Sequence, residues 1–413
     1  MSTALCDVVV VGAGAAGLAA GRALIEAGLD IRIVEARTRA GGRAFTDSVV
    51  GQPFDAGAAY IHFADRNPWV ALAAEFGVTL EKHRGWGGGV AFRDGRRLDA
   101  GATAARRAGM AQFWDAMETA REEQPASGAS LGDLTAGLSE GARDAALRFG
   151  QHAIGEEPER IDLADLIAQW EGPDLVAPGG YGHLVAAAAR DLPVSYGVQV
   201  TRIDWSGKTV LVETTQGALR ARHVVVTVPV GVLRAGGIAF APALPAATRD
   251  ALSGMTMGVL SKVALAFDGA RFGWPAPSDA YALGTGFNFE LFPFGRDLVI
   301  ATLGGDVARD LMGQGDEAAI AATLDVFASI VGGEARQRFV AGRTAAWMRD
   351  PFAEGGYSVV RPGHGGARAA LREPVGGRVR FAGEATAEGG SMTVGGATLE
   401  GRRAAAEIVE ALA

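Results

Sequence analysis

The chain has 413 residues, 48% of them hydrophobic, with 39 Lys and Arg against 47 Asp and Glu and a single Cys. That length is too great for one small domain at roughly 150 residues each, and the apolar fraction excludes a disordered chain. A net charge of −8 argues against a nucleic-acid partner and suits a cationic ligand, while one Cys excludes an internal disulfide and a Cys-based zinc site. Asp7–Val11 reads as a strand, Gly12–Gly17 as a glycine-rich turn, Leu18–Ala27 as a helix closed by Gly28, and Ile31–Glu35 as a second strand. A helix is expected over Arg66–Gly77, opened by Asn67-Pro68; a break at Arg84–Gly89; a hairpin through Asp94-Gly95; and helices over about 100–170. After the Pro178-Gly179-Gly180 break come strands at Val198–Trp205, Thr209–Thr215 and Arg220–Val228, turning at Ser206-Gly207-Lys208 and ended by Pro229, Pro242 and Pro245. Residues 255–305 are strand-rich, Asp316–Val331 is helical, Arg378–Gly383 is a last strand and Ala397–Leu412 a last helix. No apolar run approaches the roughly 18 residues of a membrane span, and no basic leader precedes Cys6, so a cytoplasmic chain without membrane partners is expected. The six His are scattered, so no metal site is expected.

Gly12-Ala13-Gly14-Ala15-Ala16-Gly17 follows a strand and opens a helix. Gly12 permits the tight turn, Gly14 lets the backbone approach a pyrophosphate, and Gly17 lets the helix pack on the strand. The helix N-terminus, with Ala15 and Ala16, then faces the phosphates. Glu35 ends the second strand, 18 residues after Gly17, where a carboxylate accepts from ribose hydroxyls. These residues alone point to a dinucleotide.

Glu35 runs on into Ala36-Arg37-Thr38-Arg39-Ala40-Gly41-Gly42-Arg43, which resembles the extension found in FAD-containing amine oxidases. The resemblance implies FAD, with Ala36 and Arg37 at the cofactor and Gly42 and Arg43 on its pyrophosphate; a guanidinium fork suits a diphosphate. Phe381–Thr386 and Thr393–Ala405 resemble the family's closing motif. There Gly383 and Glu384 would meet the cofactor, Glu384 on the ribityl chain, with Met392 and Thr393 facing the flavin pyrimidine. Val200, in a strand similar to the family's adenine-side strand, would add backbone contacts.

Asp55–His62 followed by Asn67-Pro68 is similar to the polyamine oxidase and histone-demethylase branch, where Gly57, Ala58, Ala59 and Tyr60 would pass beside the flavin and His62 would contact substrate. Phe63 stands where that branch has Gly. Lys82, Lys208 and Lys262 are the only lysines, and Lys262 alone lies in an apolar strand, where an ammonium needs a partner or a shifted pKa. The resemblance implies that Lys262 holds a water against the flavin. Trp347–Ser358 resembles the flavin-face segment: Trp347 would pack on the flavin and Tyr357 would form one wall of an aromatic cage, with Thr393 where monoamine oxidases have the second Tyr. Gly356 stands where those enzymes attach FAD through Cys, so non-covalent FAD is expected. Among the acidic residues between 156 and 174, Glu171 beside Trp170 suits a substrate ammonium.

The fold expected is α/β. A Rossmann-type FAD-binding domain is drawn from 1–85, 178–240 and 345–413, and a substrate domain of mixed sheet and helices from 86–177 and 241–344. The expected reaction is oxidation of a small amine, a polyamine or another primary or secondary amine. Lys262, Tyr357 and His62 would be catalytic, Tyr357, Thr393, His62 and Glu171 would bind substrate, and O2 would take the electrons. The alternatives are an amino-acid oxidase or desaturase on the same scaffold, a dehydrogenase with another acceptor, and a flavoprotein that serves as a binding partner.

Overall fold

Four consecutive valines decide where the first strand lies. Val8, Val9, Val10 and Val11 are at most 3% exposed, so Leu5–Val11 is covered on both faces, as parallel strands usually are. In the computed structural model, which describes residues 5–86 and 88–413, this strand sits inside an eight-stranded sheet. Gly87 of the expected break and residues 1–4 lie outside the described residues. Val194–Tyr196, Ile31–Glu35, Leu5–Val11, Gly217–Val226 and Val379–Phe381 run parallel. Val210–Thr214 and Val200–Asp204 continue the sheet antiparallel, and Ala239–Ala241 closes it. The helix Ala15–Glu26 covers one face and packs on the last helix, Val394–Leu412, through small residues. A Cβ on Gly401 would come within 2.1 Å of the Ala16 carbonyl oxygen.

The second sheet is mostly antiparallel. Its order is Phe339–Ala345, Leu260–Phe267, Leu298–Gly304, Phe287–Leu291, Ser278–Leu283, Val90–Arg93 and Arg96–Arg97, with only the Ser278–Leu283 and Val90–Arg93 pair parallel. Its strands alternate. Val263, Leu265, Phe267, Phe289 and Ala301 face a core with Phe327 of the helix Asp316–Val331. The opposite face carries Ala264, Ala266, Leu298 and Ile300 against Phe54 of the hairpin Thr46–Val49 and Gln52–Asp55. The helices Ala100–Glu123, Leu131–Thr135, Glu140–Phe149 and Leu163–Ile167 share a further core around Phe113, Met117 and Leu131.

The fold is thus the expected α/β arrangement. Several elements depart from the expected bounds. The first helix starts at Ala15 rather than Leu18, because the glycine turn itself forms its opening turn. The expected helical stretch contains a π-helix, Gly150–Ile154, whose wider turn the 3.6-residue period does not reveal. Val230–Arg234, expected only as a break after Pro229, is a short helix that Pro229 caps. The strands Met255–Gly258 and Tyr357–Val360 pair with each other, far apart in the chain.

Candidate active site

The first strand delivers the chain to a turn that only glycine can make. Gly12 has φ +106°, and a Cβ there would lie 2.6 Å from Thr227 Oγ1. Gly17 lets the helix close on that turn, since its Cβ would fall 1.9 Å from the Gly12 carbonyl oxygen. Gly17 therefore packs and does not face the site. At Gly14, the N-cap, no side chain caps the helix and nothing lies within 4 Å of where a Cβ would be, so the first amides are open to a ligand. Glu35 is buried and accepts from the amides of Ala13 (2.7 Å) and Arg37 (2.8 Å). A carboxylate has about four lone-pair sites, so acceptor capacity remains for hydroxyls.

These groups line one end of a cavity of about 890 Å³. Every residue expected at the cofactor lines it except Gly17: Gly12, Gly14, Ala15, Ala16, Glu35, Ala36, Arg37, Gly42, Arg43, Gly57, Ala58, Ala59, Tyr60, Val200, Trp347, Gly383, Glu384, Met392 and Thr393. Arg43 donates to the Gly356 carbonyl (2.8 Å) and to Glu384 (3.1 Å), so the two residues expected to divide pyrophosphate and ribityl chain are themselves paired. Glu384 also accepts from the Ser358 hydroxyl (2.7 Å) and the Met392 amide (3.2 Å). Burial opposes its charge, but Arg43, Arg368 and Ser358 outweigh burial and hold its carboxyl below the usual range. The open glycine turn, the Glu35 carboxylate and the Glu384 cluster fit an extended flavin dinucleotide. Cys6 is buried in the first strand and does not line the cavity.

At mid-cavity the two sheets meet. Lys262 lies on the second strand from the sheet edge, so it does not reach solvent past an open side. Its ammonium donates to the carbonyls of Asp55 (2.7 Å) and Gly57 (2.8 Å). Burial pushes its pKa down, and Asp55 and Glu290 pull part of the way back. An ammonium has three donors, so one remains for the cavity. Trp347 is fixed beside it by donating to the Ala56 carbonyl at 3.0 Å. The Tyr357 hydroxyl donates to the Ala153 carbonyl of the π-helix at 2.7 Å, and burial, then Glu384, raises its pKa well clear of neutral. Thr393 caps the last helix, its hydroxyl donating to the Gly390 carbonyl and accepting from the Gly396 amide.

His62 pairs with Asp174 at 2.9 Å, and Trp86 donates to the other Asp174 oxygen at 2.9 Å. Burial opposes the Asp174 charge, yet His62 and Trp86 keep its pKa low. Phe63 holds the left-handed backbone, φ +55°, that glycine would take without strain, and its ring meets His62 and Trp170. Glu171 reaches only the rim: it is exposed and paired with Arg121. Of the acidic stretch, only Glu171 and Asp174 line the cavity, because Glu156, Asp162 and Asp165 are taken by Arg160 and Arg309, by a helix cap, and by Arg368.

Sequence reasoning missed the wall opposite. Tyr281, Asn288 and Glu290 line the cavity from the second sheet, and Arg106, Arg148 and His152 from the helices. A signal for the first group existed: Asp279, Tyr281, Asn288 and Glu290 alternate with Ala280, Ala282, Phe287 and Phe289, the period of a strand with one polar face. Among the described residues, no group of three or more His, Cys, Asp or Glu is placed to hold a metal ion, and no helix is long and apolar enough to cross a membrane.

The comparisons agree with this geometry. A family model described as flavin containing amine oxidoreductase matches residues 15–409. Lysine-specific histone demethylase 1 homolog 1 of Oryza sativa subsp. japonica is 32% identical over 98% of this chain and 52% of its own length. Its namesake in Arabidopsis thaliana is 31% identical over the same shares. The chain thus spans about half the length of the curated relatives it matches. Among solved structures, a wild-type putrescine oxidase bound to putrescine is similar in fold, with a TM-score of 0.83 at 21% identity, over 99% of this chain and 100% of that one.

Proposed function

Because the chain belongs to the family of flavin-containing amine oxidoreductases, we propose that it oxidises the C–N bond of a primary or secondary amine with FAD as cofactor and oxygen as acceptor. The flavin would supply hydride acceptance from the carbon beside nitrogen. The imine hydrolyses to an aldehyde and an amine or ammonia, and the two electrons leave with two protons on O2 as hydrogen peroxide.

The observation that carries the reading is the setting of Lys262, a half-buried ammonium where the dinucleotide cradle opens into an aromatic pocket. Two of its donors are fixed by backbone, which leaves the third to hold a water or ligand atom at the junction. Tyr357 and Trp347 wall the approach. Tyr357 stays protonated, so it orients the amine and does not remove its proton. His62, steadied by Asp174, would contact the substrate, with Thr393 beside it and Glu171 at the rim. With no protein base required, the amine must arrive neutral, so the rate should rise with pH above neutrality.

The expected polyamine would need carboxylates deep in the cavity. Of the carboxylates that line it, Asp174 is held by His62 and Trp86 and Glu384 by Arg43, and Arg84 lies 3.2 Å from Asp279 and 3.8 Å from Glu290. That arrangement favours an amine with one cationic group. FAD would be held without a covalent bond, since Gly356 offers no thiol and Cys6 does not line the cavity. Yellow colour remaining on acid-precipitated protein would contradict this. A cytoplasmic location belongs to the same proposal. The test is peroxide formed per amine consumed by the flavin-loaded enzyme in air. Equal amounts support an oxidase, whereas turnover only with an added quinone or dye would make it a dehydrogenase.

A further inference from the structure

The cavity wall remote from the glycine turn carries positive charge that Asp144, acting on Arg148, offsets only in part. Arg106, on Ala100–Glu123, and Arg148, in the last turn of Glu140–Phe149, both lie over the ring of Tyr281, 5.0 and 5.4 Å from its centroid. Arg148 donates to Asn288 Oδ1 at 2.8 Å. Among the described residues neither guanidinium has an ion-pair partner within 4.0 Å, although Arg121 nearby has Glu118 and Glu171. Arg106 Nε and both ring nitrogens of His152 are shut off from solvent without a hydrogen-bond partner. Burial, and then Arg106, lowers the Arg148 pKa to about 10, which still leaves it charged at neutral pH. Burial, and then Arg148, lowers His152 to about 3, so it is neutral there and can donate from one nitrogen. A cation over an aromatic ring recovers only part of what Arg148 loses by burial. The wall is therefore short of one anion.

The second sheet measures where that anion would sit. Lys262, Thr302, Asn288 and Tyr281 are register partners across four adjacent strands. At roughly 4.8 Å per strand, Asn288 stands about 10 Å and Tyr281 about 14 Å from Lys262 along the backbone. Side chains reaching in from both ends shorten that span, and a carboxylate several bonds from the reacting carbon fits what remains better than an α-carboxylate, one bond away. We propose that Arg106 and Arg148, with Asn288 and His152, form an anion subsite, and that the amine carries a carboxylate at the end remote from the carbon oxidised. This rests on the amine-oxidising reading above and narrows its substrate to an ω-amino acid or a similar amino acid chain.

The flavin-loaded enzyme can test it with matched five-carbon compounds: 5-aminopentanoate, pentylamine, 1,5-diaminopentane and norvaline. Their concentration dependence of anaerobic flavin reduction is compared, and pentanoate, which carries no amine, is titrated calorimetrically. 5-Aminopentanoate should saturate at a concentration at least tenfold below pentylamine, diaminopentane and norvaline. Pentanoate should bind, and Arg148→Met should collapse the ratio of 5-aminopentanoate to pentylamine and weaken pentanoate at least tenfold. Arg106→Met provides the same readout if Arg148→Met does not fold, and the wild-type comparison stands without either. Reduction by amines with no preference for 5-aminopentanoate, or preference for diaminopentane, would overturn the subsite and leave amine oxidation standing. Pentanoate binding that depends on Arg148, with no amine reducing the flavin, would keep the subsite and overturn the reaction.

Discussion

The two ends of the cavity are held by different kinds of group. Around Gly12–Arg43 the functional surface is largely backbone: open helix amides, a turn with positive φ, and a carboxylate pinned by two amides. These groups are fixed by the fold of one short stretch and have nowhere else to go. Around Tyr281 the surface is side chains from a sheet and two helices that meet only in the folded chain, with charges whose partners are incomplete. A backbone site suits a cofactor that is always the same, whereas a side-chain wall can be retuned for a substrate without disturbing the cradle.

Substitutions should separate the two ends. The largest effect is expected at the cradle from Gly17→Ala. Its Cβ would fall 1.9 Å from a carbonyl oxygen, so helix and turn must part. Thermal unfolding should show a loss of more than about 4 kcal/mol, and the purified protein should be colourless. A yellow, stable Gly17→Ala protein would mean that the turn is not the rigid element described.

The next effect belongs to the wall and depends on pH. Folded His152 has a pKa of about 3, below the ordinary 6.5 of the unfolded chain, so the unfolded state binds the extra proton first. Stability from this group is complete above pH 6.5 and is lost as pH falls toward 3, by up to about 4 kcal/mol. Denaturant unfolding from pH 7 to pH 4 should show that slope, and His152→Gln should flatten it. An unchanged slope would place the acid sensitivity elsewhere.

Lys262→Met sits at the junction. It should retain flavin yet slow both flavin reduction and reoxidation at least tenfold, about 1.4 kcal/mol in barrier. Wild-type stopped-flow rates in both half-reactions would refute the role. The smallest effect is expected from Tyr357→Phe, which removes one hydroxyl bond to the Ala153 carbonyl and keeps the ring. KM should rise about fivefold, close to 1 kcal/mol, with flavin binding unchanged. Equal falls in kcat and kcat/KM, with KM unchanged, would give the hydroxyl a chemical part.

The same contrast explains what could be read from sequence. Gly12, Gly14, Gly17 and Glu35 stand within one strand–turn–helix–strand unit, so their spacing is their geometry. Lys262 was legible because an ammonium in an apolar strand contradicts its own surroundings. The acidic stretch was only partly legible, since a run of carboxylates says nothing about which arginine will reach each one: Glu156 met Arg160 and Arg309, and Asp165 met Arg368. Arg106 and Arg148 were hidden among many arginines. Only folding brings them to one tyrosine ring, with no ion pair within 4.0 Å among the described residues.

Whether an amine entering from the wall meets a flavin at Lys262 is tested most directly by mixing the flavin-loaded protein with primary and secondary amines without oxygen and following the oxidised flavin band. Bleaching by at least one amine, faster at higher pH, is the expected result. A band left unchanged by every amine across the pH range would contradict the claim, even with the flavin firmly bound.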